Sequence, residues 1–214
     1  MTALNLSSYF GLAAISLLTL NILFGLLLST KYNPVRNWPR RRVNTLKLHN
    51  WTGYTALAVS LVHPVLILFS TTAHFHIVDV VYPVNAPKQP YVNTLGALAL
   101  YVLIFTVTSS YFRLEIGRKI WKPLHFGTYG LFVLYAVHAL LTDPNLKDAP
   151  FDPFDAEKVF VEFCILVVLT GIVFRVRWQL RQPPPRQHRP KQPRSLRPSI
   201  ESGASDSPGA LPSK

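Results

Sequence analysis

The chain has 214 residues, 49% of them hydrophobic, and a formal charge of +12 from 22 Lys and Arg against 10 Asp and Glu. The apolar residues arrive in long blocks instead of short periodic ones, which excludes an ordinary water-soluble core and points to a membrane protein. The basic excess sits in the loops between those blocks, so it reads as a topology signal plus attraction to anionic lipid head groups, and not as a nucleic-acid surface.

Taken in chain order, the predicted spanning helices are 9–28, 51–70, 95–112, 124–141 and a weaker run at 159–174. No basic residue precedes Lys31 and no small-residue cleavage site follows the first apolar run, so that run reads as a retained helix and not a signal peptide. The loop after it carries Lys31, Arg36, Arg40, Arg41, Arg42 and Lys47. The link between the third and fourth runs carries Arg113, Arg118, Lys119 and Lys122. The loop at 71–93 has Lys88 as its one base, and the loop at 142–158 is mostly acidic. By the positive-inside rule the basic loops and the C-terminus are cytoplasmic and the N-terminus lies outside.

The expected architecture is therefore all-α: a polytopic membrane helical bundle of about five transmembrane helices, N-terminus outside and C-terminus cytoplasmic. Residues 1–181 form this domain. Residues 182–214, rich in Pro, basic residues and then Ser and Gly, read as a disordered cytoplasmic tail. The single cysteine, Cys164, lies inside the last apolar run as a small buried hydrophobe and has no internal partner for a disulfide. No GxGxxG or phosphate-binding loop occurs.

Ionisable side chains are costly in a bilayer and so mark function. Seven histidines occur, and four of them fall as two pairs in two apolar helices: His49 with His63, and His125 with His138. His49 and His63 are fourteen positions apart, which is about 21 Å of rise and within about 40° of four full turns, so both leave one face. His125 and His138 are thirteen apart, about 20 Å. Side by side, the helices would set His49 against His125 at one level and His63 against His138 at the other. Two facing imidazoles per level is the arrangement that grips the iron of a haem from both sides. The only methionine is Met1 and no CxxCH is present, so His/Met ligation and covalent attachment are excluded and two b-type haems are expected. On a straight helix the thirteen-residue step leaves His138 about 140° from the azimuth of His125, to be absorbed by a 3₁₀ stretch or by different approach angles. Gly53, Gly127 and Gly130 lie near the histidines, where a missing side chain would admit a flat ring or a close helix.

LHNWTGYTALAVSLVHP at 48–64 and WKPLHFGTYGLFVLYAVHALL at 121–141 resemble the membrane domain of the ferric reductase and NADPH oxidase superfamily, whose pattern is H-x13-H on one helix and H-x12-H on a later one. The W-x2-L-H around His125, with Tyr129, also resembles the haem-bearing membrane subunit of bacterial periplasmic methionine sulfoxide reductases. The resemblance implies that His49, His63, His125 and His138 ligate two stacked haems that pass electrons across a bacterial inner membrane. It departs from complete reductases in its helix count and in having no flavin or nicotinamide (NAD) site within the chain, which makes a separate flavoprotein or quinol the electron donor and an extracytoplasmic species the acceptor. Bis-histidine iron has no open position, so outer-sphere electron transfer is the expected chemistry. The function expected is a membrane cytochrome of the ferric reductase-like kind. The rival readings are a quinol-oxidising haem anchor for an extracytoplasmic reductase and a haem-free proton or metal transporter.

Three further features draw attention. Arg113, Arg118, Lys119 and Lys122 stand where haem propionates or an acidic donor would meet them, besides their topological role. His74 and His76 form an H-x-H in an outside loop that would suit a metal ion. Glu162, about one turn inside the fifth helix, is a candidate proton relay or, more simply, an interfacial carboxylate.

Overall fold

A computed structural model describes residues 2–30, 44–71, 73–143, 146 and 152–182. Residues 183–214, where the tail was expected, and the basic loop at 31–43 lie outside the described residues. Seven α-helices follow in order: α1 Ala3–Thr30, α2 Thr45–Ile67, α3 Ile77–Val81, α4 Pro90–Tyr111, α5 Arg113–Ile116, α6 Arg118–Leu141 and α7 Ala156–Leu180. A 3₁₀ turn at Pro83–Asn85 separates α3 from α4, and the described residues contain no strand.

The five long helices are those predicted. Local chemistry sets their ends. Asn44 caps α2, its side chain accepting from the Lys47 N–H at 3.1 Å. Pro90 starts α4, where its missing N–H costs nothing, and Asp155 caps α7 through the Glu157 N–H at 3.3 Å. Between α4 and α6 the chain reverses within the short α5, and Gly117 takes a φ of 81° at the break, a conformation that disfavours any side chain. That tight reversal makes α4 and α6 antiparallel neighbours.

Four helices, α1, α4, α6 and α7, are long and apolar enough to cross a membrane by length and composition. With 23 residues α2 falls within their range of lengths, yet it is not among them, since its first half carries Lys47, His49, Asn50, Thr52 and Thr55. The sequence expected five spans, and α2 is the helix whose polar groups lower its hydropathy. Several of those groups are turned toward α1, against which α2 packs most extensively; α4 packs chiefly on α6, and α7 on α1.

Alternation of direction gives the bundle two chemically different ends. Arg175 of α7 donates to Ser29 at the close of α1 at 2.5 Å, so the C-terminal ends of α1 and α7 share an end with the start of α2, the start of α6 and Arg113, Arg118 and Lys122. Opposite lie Asp143, Asp155 and Glu157, with the α6 C-terminus. The core is a stripe of Ala14, Ile15, Leu18, Ile22 and Leu26 from α1 against Ala56, Ala99, Leu103, Leu131, Phe132, Val161 and Val168. Cys164 is buried within it as expected. The outward face of α7 leaves Phe163, Leu166, Leu169, Val173 and Phe174 exposed, each at least half uncovered. Such a surface suits lipid and not water.

Candidate functional site

The four histidines singled out by spacing meet in two pairs. His49 on α2 and His125 on α6 have ring centres 5.9 Å apart with planes at 78°. His63 and His138, farther along the same helices, have centres 6.3 Å apart with planes at 76°. A metal–imidazole nitrogen bond is about 2 Å and a ring centre lies about 1 Å behind its nitrogen, so two imidazoles on opposite sides of one metal stand about 6 Å apart. Both pairs have that separation. No 3₁₀ stretch takes up the thirteen-residue step, because α6 remains α-helical from Arg118 to Leu141.

Each imidazole is held through Nδ1. His49 Nδ1 lies 3.0 Å from the Asn21 carbonyl oxygen, His63 Nδ1 2.7 Å from that of Ser7 and His138 Nδ1 2.8 Å from that of Val92. A carbonyl oxygen can only accept, so Nδ1 is the protonated nitrogen in all three and Nε2 keeps its lone pair for a metal. His125 differs: its Nδ1 lies 3.2 Å from the Ser110 hydroxyl, which also takes a bond from Trp121 Nε1 at 3.3 Å, while the Trp121 ring stacks on His125 at 5.0 Å.

Helical carbonyls are reached this way because of glycine. The carbonyl of a helical residue points at the N–H four positions on. For Ser7, Asn21 and Val92 that position is Gly11, Gly25 and Gly96. A Cβ at Gly11 would come within 3.2 Å of the His63 ring, one at Gly25 within 3.4 Å of His49, and one at Gly96 within 2.7 Å of His138. Three of the four rings therefore dock in the same device, a backbone carbonyl with a glycine one turn later. On α1 the two sockets are fourteen residues apart, the same step as His49 to His63 on the antiparallel α2. Further bonds lock the two helices in register: the Ser7 hydroxyl donates to the His63 carbonyl at 2.9 Å, and Asn21 Nδ2 donates to the His49 carbonyl at 2.5 Å and to Thr52 Oγ1 at 2.9 Å.

Clefts open on both sides of each pair. Those beside His49 and His125 are roomier, about 190 and 420 Å³, and the larger one is lined by Arg113, Arg118 and Lys122 with Trp121, Phe126 and Tyr129. Three of the four bases foreseen there do line it; Lys119 does not. The clefts beside His63 and His138 are narrower, about 80 and 60 Å³. Buried Thr106, on the wall of the first cleft, presents a hydroxyl with no hydrogen-bond partner among the described residues. A flat, mostly apolar metal chelate with acidic substituents fits this donor set. Two imidazoles stand at each level at the separation that sharing one metal would require, slots run to either side, and bases stand at one mouth.

A model of the ferric reductase-like transmembrane component matches residues 10–136. The chain belongs to the ferric reductase-like transmembrane family. With four helices apolar enough to span, it is an integral, multi-pass membrane protein. The family match takes in His49, His63 and His125 and ends two residues before His138. Within the curated proteins it is similar to the protein-methionine-sulfoxide reductase heme-binding subunit MsrQ of Azospira oryzae, 30% identical over 175 residues that cover 78% of this chain and 68% of that one. No solved structure matches.

Several residues of this family member were misplaced or missed by sequence reasoning. Gly127 and Gly130 are exposed, and a Cβ at either would meet nothing within 4 Å among the described residues. Gly53 makes room for Asn21, whose Nδ2 a Cβ there would approach to 3.2 Å. The carboxylates in the clefts beside His63 and His138 are Glu157, held by the Ser8 hydroxyl at 2.9 Å, Asp143 and Asp79; Glu162 is not among them. Within the H-x-H, the backbone N–H of His76 donates to Asp79 at 2.8 Å and starts α3. Among the described residues no three His, Cys, Asp or Glu side chains converge as a metal site.

Lys158 had drawn no notice, and it is buried at 6% exposure. Its ammonium donates to the carbonyls of Ala139 (2.9 Å) and Thr142, latching α7 to the C-terminus of α6, where cations are favoured. Lys158→Met leaves those carbonyls short of a donor. It is expected to cost about 2 kcal/mol, measured as a lower thermal midpoint in detergent, with Lys158→Arg closer to the parent.

Proposed function

We propose that this protein carries electrons across the membrane through two b-type haems, one held by His49 and His125 and the other by His63 and His138, and delivers them to a separate reductase on the far side. The observation that carries this reading is the pair of imidazole separations, 5.9 and 6.3 Å, each with Nδ1 already engaged. A haem with two imidazole ligands supplies one-electron exchange at an iron without an open position.

The chain's own part is to position and insulate. The carbonyls of Asn21, Ser7 and Val92 fix ring orientation and raise the basicity of Nε2. Arg113, Arg118 and Lys122 are placed to neutralise propionates at the basic end. The pairs are separated by about 21 Å along α2, and the breadth of the macrocycles would shorten the gap between their edges. Between them stand Leu103, Leu131 and Phe132, a dry apolar medium that excludes water from the route. By the charge asymmetry of the ends, the His49 level faces the cytoplasm and the His63 level faces outward, so the donor, a flavoprotein or a quinol, acts at or near the basic end. The similarity to a haem-binding subunit of a methionine sulfoxide reductase supports a reductase subunit as the acceptor.

The test is the absorbance of the purified protein with a haem-to-protein ratio. Reduced b-type bands at two haems per chain are expected. A folded protein that binds none, when expressed with ample haem, would overturn the reading in favour of a transporter. Comparing haem reduction by a quinol with reduction by NADPH plus a flavin reductase assigns the donor.

A further inference from the structure

The segment between α2 and α4 does not stay above the bundle. Tyr101 lies eleven residues into α4, about 16 Å from its first residue, and its hydroxyl donates to the Val81 carbonyl at the end of α3. Helical side chains lean toward the N-terminus, so Val81 still sits about 10 Å down a helix whose 22 residues, about 33 Å, match the hydrocarbon core. Asp79, Val80 and Pro83 line the same cleft as Gly96, Ala97 and Leu100, which places them at that depth by a second route.

At this level α3 shows one face outward: Ile77, Val78, Val81 and Tyr82 are exposed by 71, 70, 57 and 64%. Their spacing, two adjacent residues and two more a turn later, is one side of a helix. The stripe continues onto α4 through the exposed Leu98, Tyr101 and Phe105. Its one charged residue, Asp79, turns the other way, into the cleft. Much of the backbone polarity here is met within the segment, which a bilayer favours. Asp79 and Val80 N–H donate to the His76 carbonyl, Tyr82 N–H to Val78, and Ala86 N–H to Pro83, while Pro83 has no N–H to satisfy. The Val81 carbonyl, which a loop in water would leave to solvent, is given a tyrosine hydroxyl instead.

We infer that residues 77–85 dip into the hydrocarbon of the bilayer, with lipid acyl chains covering Ile77, Val78, Val81 and Tyr82. The segment then walls the α4 side of the His63–His138 pair, and soluble molecules approach that pair through the opposite cleft, past Glu157 and Asp143. The inference stands independently of whether the histidines hold haem.

Spin labels on single cysteines test it. Ile77→Cys, Val78→Cys and Tyr82→Cys are made in a Cys164→Ala background of the full chain, reconstituted in phosphatidylcholine bilayers. Relaxation by oxygen, which concentrates in lipid, is compared with relaxation by a water-soluble nickel chelate. Phe105→Cys serves as the lipid reference and Lys88→Cys as the water reference. Labels at 77 and 78 are expected to favour oxygen as strongly as at 105. A nickel-favoured response like that at 88 overturns the inference, and so does shielding from both reagents, which would mean a protein partner covers the face. All three positions are exposed, so replacement leaves the core intact, and agreement among them guards against one misfolded variant.

Discussion

His63→Ala is expected to reduce the haem content from two per chain to one, with the b-type bands of the remaining haem unchanged. The partner ring, His138, stands 6.3 Å away and would be left with one protein ligand where two were needed. The second pair lies about 21 Å along α2 and has its own orienting bonds to Asn21 and Ser110. Its ligands are not disturbed. Loss of the axial bond also removes the low-spin signature of that haem in electron paramagnetic resonance, which activity alone would not show. His125→Ala should subtract the complementary signal, and the two losses should add in the double variant. Retention of both haems in either single variant would mean that the pairing is wrong. Loss of both from a protein that keeps its helical circular dichroism would mean that the levels do not load separately.

Gly96→Ala is expected to weaken the haem held by His63 and His138 by about 10–100-fold, the usual consequence of losing a ligand's orienting partner. The added Cβ would stand 2.7 Å from His138 Cε1 and 2.9 Å from both ring nitrogens. Ring or helix must shift, at an overpacking cost of about 1–3 kcal/mol, and the Val92 carbonyl loses its donor. The other sockets set a scale. Gly11→Ala, with a closest approach of 3.2 Å, should be milder and affect the same haem, whereas Gly25→Ala, at 3.4 Å, makes only an ordinary contact with His49 and should leave its haem nearly unaltered. Haem titration of the three variants reads this order directly. An effect of Gly25→Ala that exceeds that of Gly96→Ala would remove the socket argument.

Much of this arrangement was legible in the residues. Long unbroken apolar runs announce helices because within a bilayer a single such segment satisfies its own backbone polar groups only as a helix, whereas barrel strands alternate apolar with polar residues. Loop charge separates the two ends of the bundle, and four histidines at steps of fourteen and thirteen announce two levels. The orienting sockets were legible in part. Gly11 and Gly25 repeat the fourteen-residue step of His49 and His63, a signal that only an antiparallel partner makes meaningful. Gly53 was nearer the histidines in sequence and so drew the attention, yet it faces Asn21, and nearness along one helix says little about what faces a ring from the next. Lys158 and Glu157 escaped notice for a related reason: at the start of an apolar run they look like ordinary interfacial charges.

The sequence by itself determined an all-helical membrane chain, its family and the identity of the four imidazoles, because those depend on hydropathy, spacing and residue chemistry along a single strand of chain. Which carbonyl steadies each ring, which glycine admits it, which carboxylate enters the cleft and how deep the α3 segment lies were decided only by tertiary structure. Each of those depends on the rotation and register of one helix against another, and register is set by close packing and hydrogen bonds between residues far apart in the chain, such as Ser7 with His63 and Tyr101 with Val81.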